Sequence, residues 1–290
     1  MKKFKILIPV YNDWDSLVKL LSEINLSIKD IKQCIFDCII VNDASTSLPP
    51  EIKKPTNISS IRIINMKENR GHARCNAYGI RHLSKNDNYD FLILMDGDGE
   101  DRPEEIKLLV EKALIDDSTS VVAKRIKRSE GYFFQSLYQI HKFITLIFTG
   151  KKIDFGNYTC LTKKDVKALS DKSTLWSSFS GTFKKNIISY NEINSTRGLR
   201  YFGPSKMSLY KLIIHSFAII AVFKGNVFLR SAIMLIILSY LHLEFGGIII
   251  FLQIILVIFN LVIYLVSLRE NKKELFNSEK NEKDIVLITH

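Results

Sequence analysis

Cysteine is scarce in this chain. There are four, Cys34, Cys38, Cys75 and Cys160, and no two form a C-x-x-C pair. That spacing excludes a zinc ribbon or a disulfide framework and reads as reduced, structural thiols on the cytosolic side. Acids are in deficit as well: 30 Asp+Glu stand against 41 Lys+Arg, a net charge of +11. Such an excess favours a partner that carries phosphates: nucleic acid, nucleotide or an anionic membrane. Nucleic acid drops out, because zinc-finger spacing, an RNP-like aromatic motif and a basic heptad helix are all missing. A signal peptide is also missing. After Met1-Lys-Lys-Phe-Lys5 the apolar run Ile6-Leu-Ile8 is broken at once by Pro9 and by Asn12-Asp13, so the N-terminal part is expected in the cytosol.

Charge is nearly absent from Val227 to Leu268, with one interruption at His242-Leu-Glu244-Phe-Gly-Gly247. Ile248 to Leu268 is long enough to span ~30 Å of hydrocarbon at ~1.5 Å per residue. Gln253 and Asn260 weaken this span less than the Ile/Leu/Val/Phe majority favours it. Val227 to Leu243 is near the lower length limit and requires Arg230 to snorkel. The connector lacks Lys and Arg, whereas Lys206, Lys211 and Lys224 precede the pair and Arg269, Lys272 and Lys273 follow it. The positive-inside rule then puts both ends in the cytosol. Residues 205–226 read as a juxtamembrane amphipathic helix, 227–268 as two transmembrane helices, and 269–290, charged with both signs, as a solvated cytosolic tail.

The remainder, 1–204, reads as α/β. Strands are expected at Lys3–Val10, Cys34–Val41, Ile61–Met66, Phe91–Met95 and Ser120–Ala123. Helices are expected from Asp13 to Ile28, from Arg70-Gly71-His72 to about Leu83, and from Pro103 to about Leu114. Alternation of this kind implies a mostly parallel sheet. Tyr132–Phe148 and Ser205–Phe223 mix aromatic and aliphatic residues with scattered polar ones, as interfacial helices do.

The most informative segment is Phe91-Leu-Ile-Leu-Met95 running into Asp96-Gly97-Asp98-Gly99-Glu100-Asp101. A buried strand delivers two carboxylates to the rim of a parallel sheet, where open α/β folds bind ligands. Clustered carboxylates repel unless a cation sits between them, and Mg²⁺ uses one or two carboxylates plus substrate phosphates. An EF-hand is excluded, since its sixth and twelfth positions would be Asp101 and Lys107 instead of Gly and Glu.

IPVYN at the first strand end, VNDAS at the second, MDGDGEDRPE at a later one and then a membrane hairpin occur in this order. The ordered set resembles the family-2 glycosyltransferases of the GT-A (Rossmann-like) fold, and among them the polyprenyl-phosphate glycosyltransferases and dolichyl-phosphate mannose synthases. The resemblance implies a UDP- or GDP-linked sugar donor lined by Pro9, Tyr11, Asp13, Asp43, Arg70 and Gly71. Asn42 stands where the family often has a further Asp. It implies Mg²⁺ or Mn²⁺ on Asp96 and Asp98. The backbone N–H groups around Gly71 suit phosphate on their own account. Arg200-Tyr-Phe-Gly203-Pro-Ser205-Lys206 is similar to the family's R-x-x-G-x-S-K, which implies Arg200, Ser205 and Lys206 on the acceptor's phosphate. The family's D-x-G-[DS]-F-R stretch reads Asp154-Phe-Gly156-Asn157-Tyr158-Thr159 here, with an acid and an arginine replaced.

Inverting transfer to undecaprenyl phosphate at the inner face of the cell membrane is one implied reaction. The other is transfer to a sugar hydroxyl, which needs a base, for which Asp154 or Glu100 is the candidate. A lipid phosphate needs none, being ionised with a second pKa near ~6. A tethered sugar-nucleotide binder without turnover is the third reading, which intact Asp96 and Asp98 oppose. Q-x-x-R-W is absent, against a processive synthase. The bilayer is an expected partner, and so is a second copy of the chain, since membrane relatives often associate.

Overall fold

A computed structural model describes residues 1–127, 132–203 and 208–289 of the protein. Its centre is an eight-stranded sheet in the order β7-β5-β6-β4-β1-β2-β3-β8. Strands β1 (Lys2–Val10), β2 (Cys34–Asn42), β3 (Ser60–Met66) and β4 (Phe91–Leu94) run parallel. β1, β2 and β4 are largely buried on both faces, which is why they read as near-continuous apolar runs, while β3 keeps Ser60, Arg62 and Asn65 partly exposed. Helix α1 (Trp14–Ile28), a 3₁₀ turn at Pro103–Glu105 and α3 (Ile106–Ile115) cover one face; α2 (His72–Asn86) covers the other.

Beyond β5 (Val121–Lys127) and α4 (Tyr132–Thr149), the structure contains elements that the apolar pattern does not announce. Strand β6 (Phe155–Thr162) inserts antiparallel between β4 and β5, followed by α5 (Lys163–Ser170) and α6 (Phe179–Asn186). Strand β7 (Asn191–Thr196) forms the edge beside β5, and its sequence NEINST is that of a loop, because an edge strand faces water.

Helix α7 (Leu209–Ala221) ends buried at Ala218–Ala221 against the hairpin. The hairpin is α8 (Lys224–Phe245) and α9 (Gly247–Ser267), turning at Gly246 with φ +57°. With 22 and 21 residues each is about 32 Å long, enough to cross a bilayer. Both leave their apolar side chains facing out, Ile236 at 71% and Phe251 at 62% exposure. A polar pair is satisfied internally: Gln253 Nε2 donates to Ser239 Oγ at 2.9 Å. Arg230, expected to snorkel, has a partner within the protein. Its Nη1 donates to Ile147 O at 2.9 Å, placing the cation at the C-terminal end of α4, where helix carbonyls need donors.

The segment 269–290, expected as a solvated tail, is folded instead. It folds back through α10 (Lys272–Phe276) and a 3₁₀ turn at Ser278–Asn281 into β8 (Glu282–Ile288), which pairs antiparallel with β3 as the eighth strand. Its charges mask the apolar Ile285-Val-Leu-Ile288 stretch because β8 is also an edge. Lys224 Nζ lies 2.9 Å from Glu270, so the two feet of the hairpin are tied together.

Candidate functional site

The parallel register puts the chemistry on one rim. Pro9 pairs with Val41 and Leu7 with Leu94, so the ends of β1, β2 and β4 deliver Tyr11, Asp43 and Asp96 side by side. Gly97 passes so close to β1 that a Cβ would stand 3.0 Å from Pro9 O. Pro9 itself is buried, so it shapes the rim through its backbone, while Tyr11 is 41% exposed.

Asp96 sits in a ring of donors. His72 Nε2 is 3.1 Å from Asp96 Oδ1, Asn157 Nδ2 donates to the same oxygen at 3.2 Å, and the Asp96 N–H donates to Asp101 at 3.0 Å. His72 and Asn157 touch each other at 2.9 Å. Burial pushes Asp96 up, but the charge and hydrogen bond of His72, with Arg197 and Arg125, outweigh it and hold the carboxyl well below its ordinary range. Asp98 behaves oppositely: burial, Asp96 and Glu100 push it up to about 6, against its Glu100 N–H bond and Arg200. Asp101, buried beside Asp96, is pushed up to about 7.

A strap from Arg197 to Phe202 crosses this acidic turn. Arg197 pairs with Glu100, the Tyr201 N–H donates to Asp98 O at 2.9 Å, and the Gly198 N–H donates to Glu100 O at 2.8 Å. Gly99 has φ +86°, and a Cβ there would lie 2.4 Å from the Tyr201 ring, so the crossing requires glycine. Arg200, expected on an acceptor phosphate, donates through Nη1 to Asp98 Oδ2 at 2.8 Å and through Nη2 to Asp13. Asp13 also accepts from Ser16 Oγ at 2.8 Å.

Asp43 is 3% exposed and accepts the Arg70 and Gly71 N–H groups, both at 2.8 Å. Two of the amides expected to greet a phosphate are thus already bonded to Asp43. Asn42, where the family often has an acid, bridges strands: its Nδ2 donates to Asn65 Oδ1 at 2.8 Å. Asp154 is paired with Lys152 at 3.6 Å and Lys124 at 3.9 Å and is 8% exposed. Ser205 and Lys206 lie outside the described residues.

Sequence reasoning gave no role to His72, Arg197 or Asp101, and counted Asn157 only as a departure from a motif. Nothing in their spacing signals Asp96; they reach it from α2, the strap, the acidic turn itself and β6.

The donor set suits a hard cation. Asp98 is raised by burial first and then by Asp96 and Glu100, and the second of these, like-charge repulsion, is what a divalent ion relieves. Among the described residues no three His, Cys, Asp or Glu side chains close around one point. Asp96 and Asp98 would offer a divalent cation two carboxylates, and Mg²⁺ typically uses one or two carboxylates together with substrate phosphates.

The profile of Glycosyl transferase family 2 matches residues 5–179, and the chain belongs to that family. Its sheet is that of the GT-A fold. Undecaprenyl-phosphate 4-deoxy-4-formamido-L-arabinose transferase of Salmonella choleraesuis (strain SC-B67) is 28% identical over 224 residues, 73% of this chain and 65% of that protein. The protein of that name in Photorhabdus laumondii is 29% identical over 226 residues, again 73% and 65%. The chain thus spans just under two thirds of the length of these relatives. Glucosyl-3-phosphoglycerate synthase from Mycobacterium tuberculosis, solved with Mn²⁺, UDP-glucose and phosphoglyceric acid, superposes with TM-score 0.52 at 12% identity, over 78% of this chain and 80% of that one. Mannosyltransferase PcManGT from Pyrobaculum calidifontis, solved with GDP-Man and Mn²⁺, gives 0.51 at 13% identity over 91% and 86%. At such identity these two speak for the fold.

Proposed function

We propose that the protein transfers a sugar from a nucleoside-diphosphate donor, UDP- or GDP-linked, to a polyprenyl phosphate, undecaprenyl phosphate in a bacterial membrane. The observation that carries this reading is a pair of carboxylates, Asp96 and Asp98, at the end of a parallel strand in a chain that also carries an apolar hairpin. The names of the relatives support the acceptor.

Asp96 and Asp98 would hold Mg²⁺ or Mn²⁺, which supplies Lewis-acid help worth several kcal/mol to the departing diphosphate. His72 and Asn157 keep Asp96 ionised and oriented for that task. Arg197 and Arg200 bring two guanidinium groups to the place where diphosphate charge develops, Arg200 once a cation has taken its place on Asp98. In the displacement a lipid-phosphate oxygen bonds to the anomeric carbon, the carbon–diphosphate bond breaks, and the configuration inverts. The attacking oxygen is already anionic, so no side chain has to remove a proton. That matches the setting of Asp154, which is buried against two lysines instead of poised as a base. The experiment offers undecaprenyl phosphate and a lipid-linked saccharide to purified protein with Mn²⁺ and labelled UDP- and GDP-sugars. Label is expected in the lipid phosphate. Label in the saccharide alone would make the hydroxyl reading correct.

The hairpin is placed in the cell membrane, the inner one where there are two, with both feet and the catalytic domain cytosolic. The Lys224–Glu270 pair and the base-free turn support that topology. A Cβ at Gly247 meets nothing within 4 Å, so Gly247→Cys is tolerated there. In a Cys34→Ser background an impermeant maleimide should label Gly247→Cys on intact cells and Glu51→Cys only after permeabilisation. The reverse pattern would refute the topology.

A further inference from the structure

The segment after the hairpin reaches the loop that leads into α2, and it does so through bonds to the backbone of that loop. The Asn281 carboxamide brackets Glu68: its Oδ1 accepts the Glu68 N–H at 3.1 Å and its Nδ2 donates to Glu68 O at 3.0 Å. One residue earlier the Lys67 N–H donates to Asn281 O at 2.7 Å, and Lys67 Nζ donates to Lys280 O at 2.9 Å. The loop residues 67–71 therefore hang between two supports: Asn281 on one side and the Asp43 carboxylate, which holds the Arg70 and Gly71 amides, on the other.

The same segment also faces the Arg70 side chain. Glu274 accepts from Trp176 Nε1 at 2.8 Å and lies 3.8 Å from Arg70 Nη1, while Arg74 sits 5.7 Å above the Trp176 ring and donates to Arg70 O at 3.3 Å. These groups enclose a cavity of about 340 Å³ that opens beside Asp43 and Arg70 and whose remaining wall is the post-hairpin turn.

We propose that residues 271–282 are part of the donor site, with Asn281 and Glu274 as positioning residues that set the 67–71 loop and its Arg70 for a nucleoside diphosphate. The idea rests on the donor reading given above. The physical reason is preorganisation: a loop bonded at both ends loses little freedom when a ligand binds, whereas a loop freed at one end must be ordered at the ligand's expense. Arg200, which the resemblance puts on the acceptor's phosphate, is bonded to Asp13, Asp98 and Phe202 and to no residue of 271–282 among the described residues. Removing the bracket is therefore expected to weaken donor binding without touching acceptor binding.

The test uses the full-length protein. Asn281→Ala should raise the donor KM roughly tenfold, the equivalent of one to two lost hydrogen bonds, with kcat and the KM for lipid phosphate within about twofold of the parent. Asn281→Asp keeps the bond from the Glu68 N–H and loses the one to Glu68 O, so it should fall between. Lys283→Ala, exposed on the same segment, should change nothing. An Asn281→Ala protein whose donor KM is unmoved overturns the proposal. So does one whose two KM values rise together with a fall in melting temperature, since that is plain loss of structure. A second measurement needs no variant. Mn²⁺ with UDP or GDP should slow amide exchange in peptides covering 67–71 and 279–284 together. Protection of 67–71 without 279–284 refutes the coupling. Protection of neither by either nucleotide refutes the donor reading itself, and this inference with it.

Discussion

Asp98→Ala should lose sugar transfer by at least ~10²–10³-fold, the cost of removing one group that stabilises transition-state charge. The fold should survive. Asp98 is not part of any apolar cluster, and among the described residues its side chain accepts from the Glu100 N–H, at 3.1 Å, and Arg200, at 2.8 Å. Circular dichroism and melting temperature should therefore match the parent, and Mn²⁺ titration should show the loss of affinity. Activity within threefold of the parent, or a parent indifferent to chelator, would remove the metal from the account.

Arg200→Ala should bind Mn²⁺ at least about tenfold more tightly than the parent when no nucleotide is present. The guanidinium stands between Asp98 and Asp13, bonded to both, with its side chain 13% exposed. It fills the position of a counter-ion that a divalent cation must displace from Asp98. A hydrogen bond to a charged group contributes roughly 1.5–3 kcal/mol, and each 1.4 kcal/mol is a factor of about ten. Arg200→Lys should lie nearer the parent. Mn²⁺ affinity measured by paramagnetic resonance tests this without any turnover. Equal or weaker affinity in Arg200→Ala would mean that Arg200 supports the site instead of competing for it. In turnover the same variant should be slower, because the diphosphate loses a guanidinium that the displaced Arg200 would offer it.

The parts of this arrangement that were legible in the sequence share one property: a buried surface writes its period into the chain. Strands β1, β2 and β4 are largely apolar on both faces, β3 brings Ile61, Ile63, Ile64 and Met66 to the core, and the hairpin is apolar over most of its length, so each is visible without neighbours. The acids at the end of β4 are legible because the strand ends there. What was hidden depends on pairing partners far away in the chain. Strand β7 and strand β8 are edges with polar faces, and the latter exists only because β3 offers it a free side. His72 meets Asp96 only once α2 is laid across the rim, and Asn157 only once β6 turns antiparallel beside β4. The resemblance implies a phosphate for Arg200, but its bonds to Asp13 and Asp98 span 187 and 102 residues, a distance no local pattern reports.

The bond in the product tests the central claim most directly. Purified full-length protein would be incubated with Mn²⁺, a UDP- or GDP-linked sugar it accepts, and undecaprenyl phosphate in detergent, and the lipid product examined by mass spectrometry and ³¹P NMR. The expected product is a sugar joined to the lipid through a phosphodiester, its anomeric configuration inverted relative to the donor, formed in step with nucleoside diphosphate and absent when Mn²⁺ is chelated. A lipid phosphate recovered only as the monoester, while the sugar appears on a hydroxyl acceptor or as free sugar, would contradict the account.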